Sequence, residues 1–269
     1  MTKLVTRLCR PEILAAEGDF IIKFATSDTE KIAAQRLRYQ VFHQEQTRGG
    51  CGNKELDCDI FDDYCLHLIV VSKNDNEVVG TYRVHPGTIA AINLGFYTAT
   101  EFELDGIDEI VEQSVELGRS CVAKTYRNGT VIAALWAGIA QIMIRGGFRY
   151  LLGCVSLEEN DAAAAWALFE KLKRQNKLTP TLVARPRRNF LLPSAPDAEI
   201  ARYRPLPLRR QLPPLFRGYL SLGGKICGPP VYDRCFGTID FLVLLDIELM
   251  PERYSKHFKC GKNNAHSTF

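Results

Sequence analysis

The stretch 114-SVELGRSCVAKTYRNGTVIAALWAGIAQIMIR-145 decides the fold, because it joins two kinds of element in one run. Its opening, Ser114 to Ala123, is rich in apolar and β-branched residues and predicts a strand. Apolar residues then continue at helical spacing, which predicts a helix from about Val131 to Arg145. The pair Gly146-Gly147 ends that helix. A strand that turns directly into a helix is typical of an α/β protein.

The turn between this strand and this helix is basic and contains glycine: Lys124-Thr125-Tyr126-Arg127-Asn128-Gly129-Thr130. Free backbone N–H groups and the positive end of the helix dipole meet at a helix N-terminus, so the turn suits a phosphate. The alternative is a plain turn whose Lys124 and Arg127 face solvent. No Gly-Lys-Thr/Ser triplet occurs, so the turn is not a nucleotide-binding P-loop.

Hydrophobic periodicity extends this pattern in both directions along the chain. It predicts a strand at Phe20–Thr26, a helix that starts at Ser27-Asp28, hairpin strands at Leu66–Ser72 and Val78–Val84, a strand at Tyr150–Leu157, a helix at Ala162–Arg174 and a buried strand at Phe241–Ile247. The order strand, helix, hairpin, strand, helix, strand, helix predicts an α/β sandwich around a mostly antiparallel, mixed sheet.

We expect one domain over residues 1–269, with a core of about 20–176 and 218–254 and a polar tail at 255–269. The segment of about 178–217 interrupts this core, and we interpret it as an inserted arm rich in proline and arginine. Its arginines outnumber its acids: Arg185, Arg187, Arg188, Arg202, Arg204, Arg209, Arg210 and Arg217 against Asp197 and Glu199. Leucine and phenylalanine alternate with them, which suits an anionic membrane or an acidic partner; a solvated loop is the alternative.

The composition is that of an ordinary globular protein, with 46% hydrophobic and 24% charged residues. The net charge of +3 is too small to indicate a nucleic-acid-binding protein, so we predict no nucleic-acid partner. No run approaches the roughly 20 apolar residues that cross a bilayer, and Met1 to Ala16 lacks the apolar block of a signal peptide. We therefore expect a cytoplasmic protein.

The nine cysteines are odd in number and spread singly along the chain, which favours reduced thiols over a disulfide framework. Cys51, Cys58 and Cys65 recur at an even interval with His67 nearby, but no CxxC pair occurs. We therefore predict no metal site there, and none elsewhere in the chain.

Motifs in the first half of the chain resemble those of the acyl-homoserine-lactone synthases, in the same order. They are Arg38-Tyr39-x-Val41-Phe42, an acidic loop with Glu55-x-Asp57 and Asp62-Asp63, Val79-Gly80-Thr81-Tyr82-Arg83-Val84, and Glu116-x-x-Arg119. The resemblance implies the GNAT-like N-acyltransferase fold and acyl transfer from acyl carrier protein to an amine. A signal synthase that uses S-adenosylmethionine is one alternative function.

The C-terminal segment departs from those synthases and resembles the L-ornithine Nα-acyltransferases, often labelled hemolysin-like. The similar residues are Gly218-Tyr219-Leu220-x-Leu222-Gly223-Gly224-Lys225-Ile226-Cys227-Gly228-Pro229-Pro230, Asp233 and Phe236-Gly237-Thr238-x-Asp240-Phe241. The whole resemblance covers about Phe20 to Tyr254. It implies transfer of a long, 3-hydroxy fatty acyl group to the α-amine of ornithine, which gives lyso-ornithine lipid. An acceptor such as glycine or tyrosine is the alternative.

The resemblance also implies how the acyl transfer is catalysed. Glu116 is the candidate base for the substrate ammonium, with an ion pair to Arg119 as the alternative. A backbone N–H near Val122 or Ala123 is expected to face the thioester oxygen. The phosphopantetheine of acyl carrier protein carries the donor, and no bound cofactor is expected. Its predicted binding residues are Lys124, Arg127, Asn128 and Gly129, together with Val122 and Ala123; Tyr126, Tyr150 and Cys154 stay open as general acids.

Charged side chains elsewhere are the candidates for holding the amino acid: Arg38, Asp62, Arg83, Arg119, Asp233 and Asp240. An arginine fork suits the α-carboxylate, and a carboxylate suits the side-chain ammonium of ornithine. Peripheral ion pairs are the alternative for Asp62 and Arg83, and turn capping is the alternative for Asp233 and Asp240.

The basic arm adds a peripheral contact with the inner membrane to the expected cytoplasmic location. A function of another class is also open, namely a membrane-associated binding protein with a degenerate GNAT core.

Overall fold

The computed structural model describes residue 8 and residues 13–45, 55–157 and 161–254. Its strands are β1 Ile13–Glu17, β2 Phe20–Phe24, β3 Leu66–Ser72, β4 Val78–Pro86, β5 Phe102–Asp105, β6 Ser114–Val122, β7 Tyr150–Ser156, β8 Val183–Pro186, β9 Lys225–Ile226, β10 Val231–Asp233 and β11 Thr238–Asp246. Its helices are α1 Asp28–Tyr39, α2 Gly87–Ala90, α3 Ile107–Ile110, α4 Thr130–Gly146, α5 Ala162–Arg174, α6 Asp197–Tyr203, α7 Leu208–Gln211 and α8 Pro214–Ser221.

Shorter helical turns connect several of these elements. A π-helical turn, Gln40–Glu45, extends α1, and 3₁₀ turns lie at Ile60–Asp63, Tyr97–Thr100, Val111–Gln113, Lys124–Tyr126, Arg188–Phe190 and Ile247–Leu249. None of the helices among the described residues is long and apolar enough to span a membrane.

The main sheet has the order β1-β2-β3-β4-β6-β7-β11-β10, with β9 also paired to β11. Its neighbouring strands run antiparallel, except that β6 and β7 are parallel. Strand β11 pairs with β7 along seven residues, from Asp240 opposite Ser156 to Asp246 opposite Tyr150. The predicted mixed, mostly antiparallel α/β sandwich is therefore confirmed.

Helices cover both faces of this sheet because each helix has an apolar face to bury. Helix α4 packs across β1 to β4 and brings Leu135 and Ile139 into the main core. Helix α1 packs on the opposite face against β4 and β6, where Leu37 contacts Cys121. As predicted, Ser27 caps α1, and its Oγ accepts a hydrogen bond from the Glu30 N–H at 3.3 Å.

The parallel strands β6 and β7 separate partway along their length. They pair only from Ser114 opposite Tyr150 to Glu116 opposite Leu152. At the next step Gly153 lies so close that a Cβ atom there would be 2.2 Å from the Leu117 carbonyl oxygen. Beyond this point the two strands line opposite walls of a cleft. The sheet itself thus forms the concave surface in which a ligand can lie.

The segment of about 178–217 contains more regular structure than the name arm suggests. Strand β8 pairs with β5 in a separate two-stranded sheet, and α6 packs against α5. Leu192, Leu212 and Phe216 join the main core, whereas Leu191 and Leu206 stay exposed. Much of its apolar content therefore serves packing. The predicted polar tail, 255–269, lies outside the described residues.

Candidate active site

A cavity of about 290 Å³ occupies the cleft between the separating halves of β6 and β7. Strands β4 and β6 contribute Tyr82, Arg83, His85 and Glu116 to Ser120, and β7 with the residue after it contributes Cys154 to Leu157. Further lining comes from Phe42, Tyr97, Thr98, Glu101, Leu215, Tyr219, Asp233, Phe236, Thr238 and Asp240. Residues from both halves of the chain, from Phe42 to Asp240, therefore meet in one cavity.

Three arginines and three aspartates pack together beside this cavity, and we call them the Arg–Asp cluster: Arg38, Arg83, Arg119, Asp57, Asp59 and Asp62. Arg38 is fully buried and donates to Asp57 from Nε (2.8 Å) and to both oxygens of Asp62 (2.7 and 3.2 Å). Equal numbers of opposite charges leave the cluster without net charge.

The other two arginines of the Arg–Asp cluster reach the cavity. Arg83 Nη1 donates to Asp59 Oδ1 (2.7 Å) and Asp62 Oδ2 (3.3 Å), and Arg119 Nη2 donates to Asp59 Oδ2 (3.0 Å). Both guanidinium groups line the cavity wall, whereas Arg38 and Asp62 lie behind it. Arg38, Asp62, Arg83 and Arg119, predicted as amino-acid ligands, thus lie together; the first three are buried rather than peripheral, and Arg119 is partly buried.

The arginines control the ionisation of the buried aspartates. Burial alone raises the pKa of Asp62, but the hydrogen bonds and charge of Arg38, with the charge of Arg83, hold the pKa well below its ordinary value. Burial also raises the pKa of Asp57, and the charges of Arg119 and Arg38 bring it below its ordinary value. Both aspartates are therefore anions near neutral pH.

Arg119 reaches its position through an irregularity in the sheet. Between the pairs Thr81–Cys121 and Arg83–Gly118 strand β6 holds one extra residue, which is a β-bulge. Arg119 lies in this bulge with φ = 53°, in the left-handed region that residues other than glycine seldom adopt. Its guanidinium carbon lies 4.3 Å from the ring centre of Phe236 and 5.1 Å from that of Tyr97.

Glu116, the predicted base, lines the cavity but is held by the backbone. Its Oε2 accepts a hydrogen bond from the Tyr97 N–H (2.7 Å) and its Oε1 from the Thr98 N–H (2.8 Å). The alternative of an ion pair with Arg119 is wrong, because the Arg119 guanidinium binds Asp57 and Asp59 instead. His85 lies opposite Glu116 in the β4–β6 ladder.

Three buried carboxylates form a second charged group in the cavity, the acidic triad Glu101, Asp233 and Asp240. One oxygen of each lies within 4.8 Å of the others. Burial and the charges of Asp240 and Asp233 raise the pKa of Glu101 well above its ordinary value. Such a group favours a ligand that brings positive charge, because mutual repulsion of the carboxylates is then relieved.

The aspartates of the acidic triad combine two of the predicted roles. Asp233 Oδ1 accepts hydrogen bonds from the N–H groups of Cys235 (2.7 Å) and Phe236 (3.2 Å), so it caps the turn after β10. Asp240 Oδ2 accepts one from Thr238 Oγ1 at 3.3 Å. Both side chains also line the cavity. Turn capping and access to a ligand are therefore compatible at Asp233.

The predicted phosphate-binding turn lies on the protein surface. Lys124, Arg127, Asn128 and Gly129 are exposed. Arg127 already pairs with Glu45 (2.8 Å) and donates to the Val122 carbonyl (2.9 Å), while Asn128 Oδ1 accepts the Thr130 N–H (3.0 Å). The described residues that line the main cavity do not include this turn.

The two predicted oxyanion donors have different surroundings. The Ala123 N–H donates to the Val79 carbonyl at 2.9 Å, so it is engaged in the sheet and the prediction for Ala123 is wrong. Bonding directions alternate along an antiparallel ladder, so the Val122 N–H faces away from β4, although Val122 is not among the described residues that line the main cavity. Val122 is therefore the better of the two candidates.

Sequence reasoning missed Glu101, Asp59 and His85. Glu101 follows a short 3₁₀ turn, and only the tertiary fold brings it to the acidic triad. Among the candidate general acids, Cys154 lines the cavity, whereas the Tyr126 hydroxyl donates to Asp75 at the surface. Burial and the charges of Glu101 and Asp240 raise the pKa of Cys154 well above its ordinary value, so the thiol keeps its proton.

Cys58, Cys65 and His67, which were considered above as metal ligands, differ in their burial. Cys51 lies outside the described residues, Cys58 is exposed, and Cys65 is half-buried with its pKa raised by burial to about 12. Burial, with the charge of Arg38 opposed by that of Asp62, lowers the pKa of His67 to about 4. The Cys58 and Cys65 thiols are protonated near neutral pH.

Comparison with known proteins agrees with this architecture. Residues 37–137 match the family model described as acetyltransferase (GNAT) domain, which confirms the expected fold. The chain is 30% identical over 264 residues to the L-ornithine N(alpha)-acyltransferase of Rhizobium meliloti (strain 1021), which covers 92% of this chain and 86% of the relative. The corresponding protein of Brucella abortus (strain 2308) is also 30% identical, over 93% of this chain and 92% of its own length.

Similar solved structures include that of FeeM, an N-acyl amino acid synthase from uncultured soil microbes, with a TM-score of 0.49 and 9% identity. The match covers 86% of this chain and 91% of FeeM. At 30% identity, the curated relatives match this chain along nearly its whole length, through both the cleft and the C-terminal hairpin that bears Asp233 and Asp240. The chain therefore belongs to the L-ornithine N(alpha)-acyltransferase family.

Proposed function

We propose that this acyltransferase moves a long, 3-hydroxy fatty acyl group from acyl carrier protein to the α-amine of L-ornithine, which gives lyso-ornithine lipid. The observation that carries the proposal is one cavity lined both by arginines, Arg83 and Arg119, and by the acidic triad. The names of the relatives, which state ornithine as the substrate, support the same acceptor.

The charges of the cavity match those of ornithine. The α-carboxylate of ornithine needs a cation. The guanidinium groups of Arg83 and Arg119 have more N–H donors than they use in binding the aspartates of the Arg–Asp cluster. The side-chain ammonium of ornithine needs anions, which the acidic triad supplies. Glycine and tyrosine bring no positive side chain, so they do not relieve the repulsion among the carboxyl groups of the acidic triad. This difference favours ornithine over both alternatives.

The proposed reaction uses Glu116 on the cavity wall and the backbone of Val122 further along β6. The α-ammonium gives up a proton, and we propose the Glu116 carboxylate as its acceptor. The neutral amine then attacks the thioester carbonyl, whose oxygen gains negative charge and is stabilised by the Val122 N–H. The carbon–sulfur bond breaks, and the leaving thiolate takes the second amine proton. A thiolate leaves readily, so no strong general acid is required.

The proposal that acyl carrier protein delivers the acyl group rests on exposed basic residues. Lys124 is exposed at the turn before α4, and Arg187 and Arg188 are exposed in the 178–217 segment. An acidic carrier protein is attracted to such surfaces, and the attraction weakens as salt screens it. We also propose peripheral contact of this segment with anionic lipid, because exposed Leu191 and Leu206 lie among the arginines.

A direct assay tests the acceptor and the donor together. Purified protein is incubated with 3-hydroxyacyl carrier protein and one acceptor at a time: ornithine, lysine, glycine, tyrosine or S-adenosylmethionine. The N-acyl products are identified by mass spectrometry. We expect N-acyl-ornithine as the main product. Acylation of glycine or tyrosine in its place, or release of methylthioadenosine, overturns the ornithine assignment.

The carrier and the membrane contact need separate controls. Replacing acyl carrier protein by acyl-coenzyme A is expected to slow the reaction, and equal rates contradict the carrier proposal. Sedimentation with vesicles of phosphatidylglycerol, compared with phosphatidylcholine, tests the membrane contact. Equal recovery in both sediments removes the case for recognition of anionic lipid.

A further inference from the structure

His85 is a buried histidine in the cavity wall that no step so far uses. It is 1% exposed and lies on β4 directly opposite Glu116 on β6. Its Nδ1 is 3.9 Å from Glu116 Oε2, and neither ring nitrogen has a hydrogen-bond partner among the described residues. A buried polar group without partners is costly, and in native proteins it often marks a functional position.

The surroundings of His85 leave Glu116 as its nearest charged neighbour. Phe61 and Phe96 present ring edges to the imidazole, with centroids 6.3 and 6.0 Å away. Arg83, two residues earlier on the same strand face, is neutralised by Asp59 and Asp62. The acidic triad and Tyr97 line the same cavity. A positive charge on the imidazole is therefore stabilised mainly by Glu116.

Glu116 is fixed in the position from which it can act on His85. The N–H groups of Tyr97 and Thr98 each occupy one of its oxygens, so the carboxylate cannot turn away. Closing the gap between Nδ1 and Oε2 by about 1 Å brings the pair to hydrogen-bond distance. A carboxylate that orients an imidazole is a recurring arrangement for proton transfer.

We infer that His85 and Glu116 act as a pair, and that the proton lost by the substrate ammonium comes to rest on His85. The inference rests on the proposed function, because it assigns the proton acceptor of that reaction. Glu116 faces the ammonium and passes its proton to the imidazole, which becomes a cation beside the carboxylate. The amine lone pair forms the N–C bond, and the C–S bond breaks with its electron pair on sulfur. The second amine proton goes to that sulfur, and His85 releases the first to solvent.

The test compares His85→Gln with wild type in steady-state ornithine acylation across pH. Glutamine keeps polar atoms but does not take up a proton in this range, so kcat is expected to fall about 100-fold while KM for ornithine changes little. The remaining rate is expected to rise with pH as the free amine becomes more abundant. His67→Gln, at a buried histidine on β3 that does not line the cavity but lies 3.5 Å from Asp62 Oδ1, is the control for loss of a buried imidazole and is expected to keep the shape of the pH profile of kcat.

An acceptor with a neutral nucleophile separates proton acceptance from damage to the fold. The α-aminooxy analogue of ornithine has a nucleophilic nitrogen that is unprotonated at neutral pH, so His85→Gln and wild type are expected to converge on it. An equal loss on both acceptors means a structural role and overturns the inference. Wild-type kcat in His85→Gln also overturns it, while the proposed function stands. If the wild-type protein acylates no amino acid, both the inference and the proposed function are overturned.

Discussion

Arg119 and Phe236 connect the central strand β6 to the C-terminal hairpin at the cavity, with the guanidinium carbon 4.3 Å from the ring centre. Arg119 belongs to the bulge in β6, whereas Phe236 lies in the turn between β10 and β11. The same ring contacts Phe42 and His43, which follow α1. The C-terminal hairpin that carries Asp233 and Asp240 is thereby fixed against the N-terminal half of the site.

Replacing Phe236 by leucine is expected to loosen this connection. Leucine keeps an apolar contact but loses the cation–π interaction, which contributes about 1 kcal/mol. We expect KM for the amino acid to rise about five-fold, since that energy corresponds to about that factor in affinity. Phe236→Tyr, which keeps the ring, is the control and should resemble wild type. An unchanged KM in Phe236→Leu contradicts the assigned role of the stack.

Removing one anion from the Arg–Asp cluster is expected to destabilise the protein. Asp62→Asn leaves the fully buried Arg38 with an incomplete set of counter-charges, and breaking a buried pair costs about 3–5 kcal/mol. Urea unfolding followed by circular dichroism measures the loss. Asp63→Asn, at a neighbouring side chain that is 80% exposed, should change the free energy of unfolding by less than about 0.5 kcal/mol.

The same aspartates predict how stability depends on pH. The pKa values of Asp57 and Asp62 are lowered in the folded protein, so their contribution is complete above the unfolded carboxyl pKa of about 4. It is lost as pH falls below that value through the folded pKa values. The free energy of unfolding should therefore drop steeply between about pH 5 and pH 2, and the slope should be smaller in Asp62→Asn. Equal slopes count against the cluster as the source.

The close approach of β6 and β7 predicts the effect of a single methyl group. In Gly153→Ala the new Cβ meets the Leu117 carbonyl oxygen at 2.2 Å; that oxygen belongs to backbone and the Cβ is bonded directly to backbone, so neither atom can move away independently. We expect a loss of about 1–3 kcal/mol in the free energy of unfolding. Gly118→Ala is the matched control, because nothing lies within 4 Å of a Cβ at that position. Equal stability of the two variants contradicts the packing argument.

Glu101 is expected to decide between acceptors of different side-chain charge. Under the proposed function, Glu101→Gln weakens the acidic triad and should raise KM for ornithine about ten-fold, the effect of roughly 1.4 kcal/mol. Norvaline, which lacks the ammonium, should be less affected by the same change. Because burial and the neighbouring aspartates raise the pKa of Glu101, wild-type affinity for ornithine should increase as pH rises and Glu101 ionises. If Glu101→Gln keeps the wild-type preference for ornithine over norvaline, Glu101 does not recognise the side-chain ammonium.

Local patterns in the sequence predict most elements of the fold but only part of the site. Strand Leu66–Ser72 and helix Ala162–Arg174 have the predicted bounds, because periodicity and capping depend on nearby residues. Strand β8 escaped prediction, since its partner β5 lies about 80 residues earlier and its composition is that of a loop. Glu101 escaped for a similar reason. Its neighbours in the triad are Asp233 and Asp240, and no local signal connects positions so far apart.

The late position of β11 also matters while the chain is being made. Until β11 emerges, β7 is an edge strand with seven residues of unpaired backbone, and such edges invite association with other chains. The same strand brings Asp240 to the cavity and closes the hairpin with Asp233. One strand therefore both completes the wall of the cavity and covers a sheet edge that would otherwise be open to other chains.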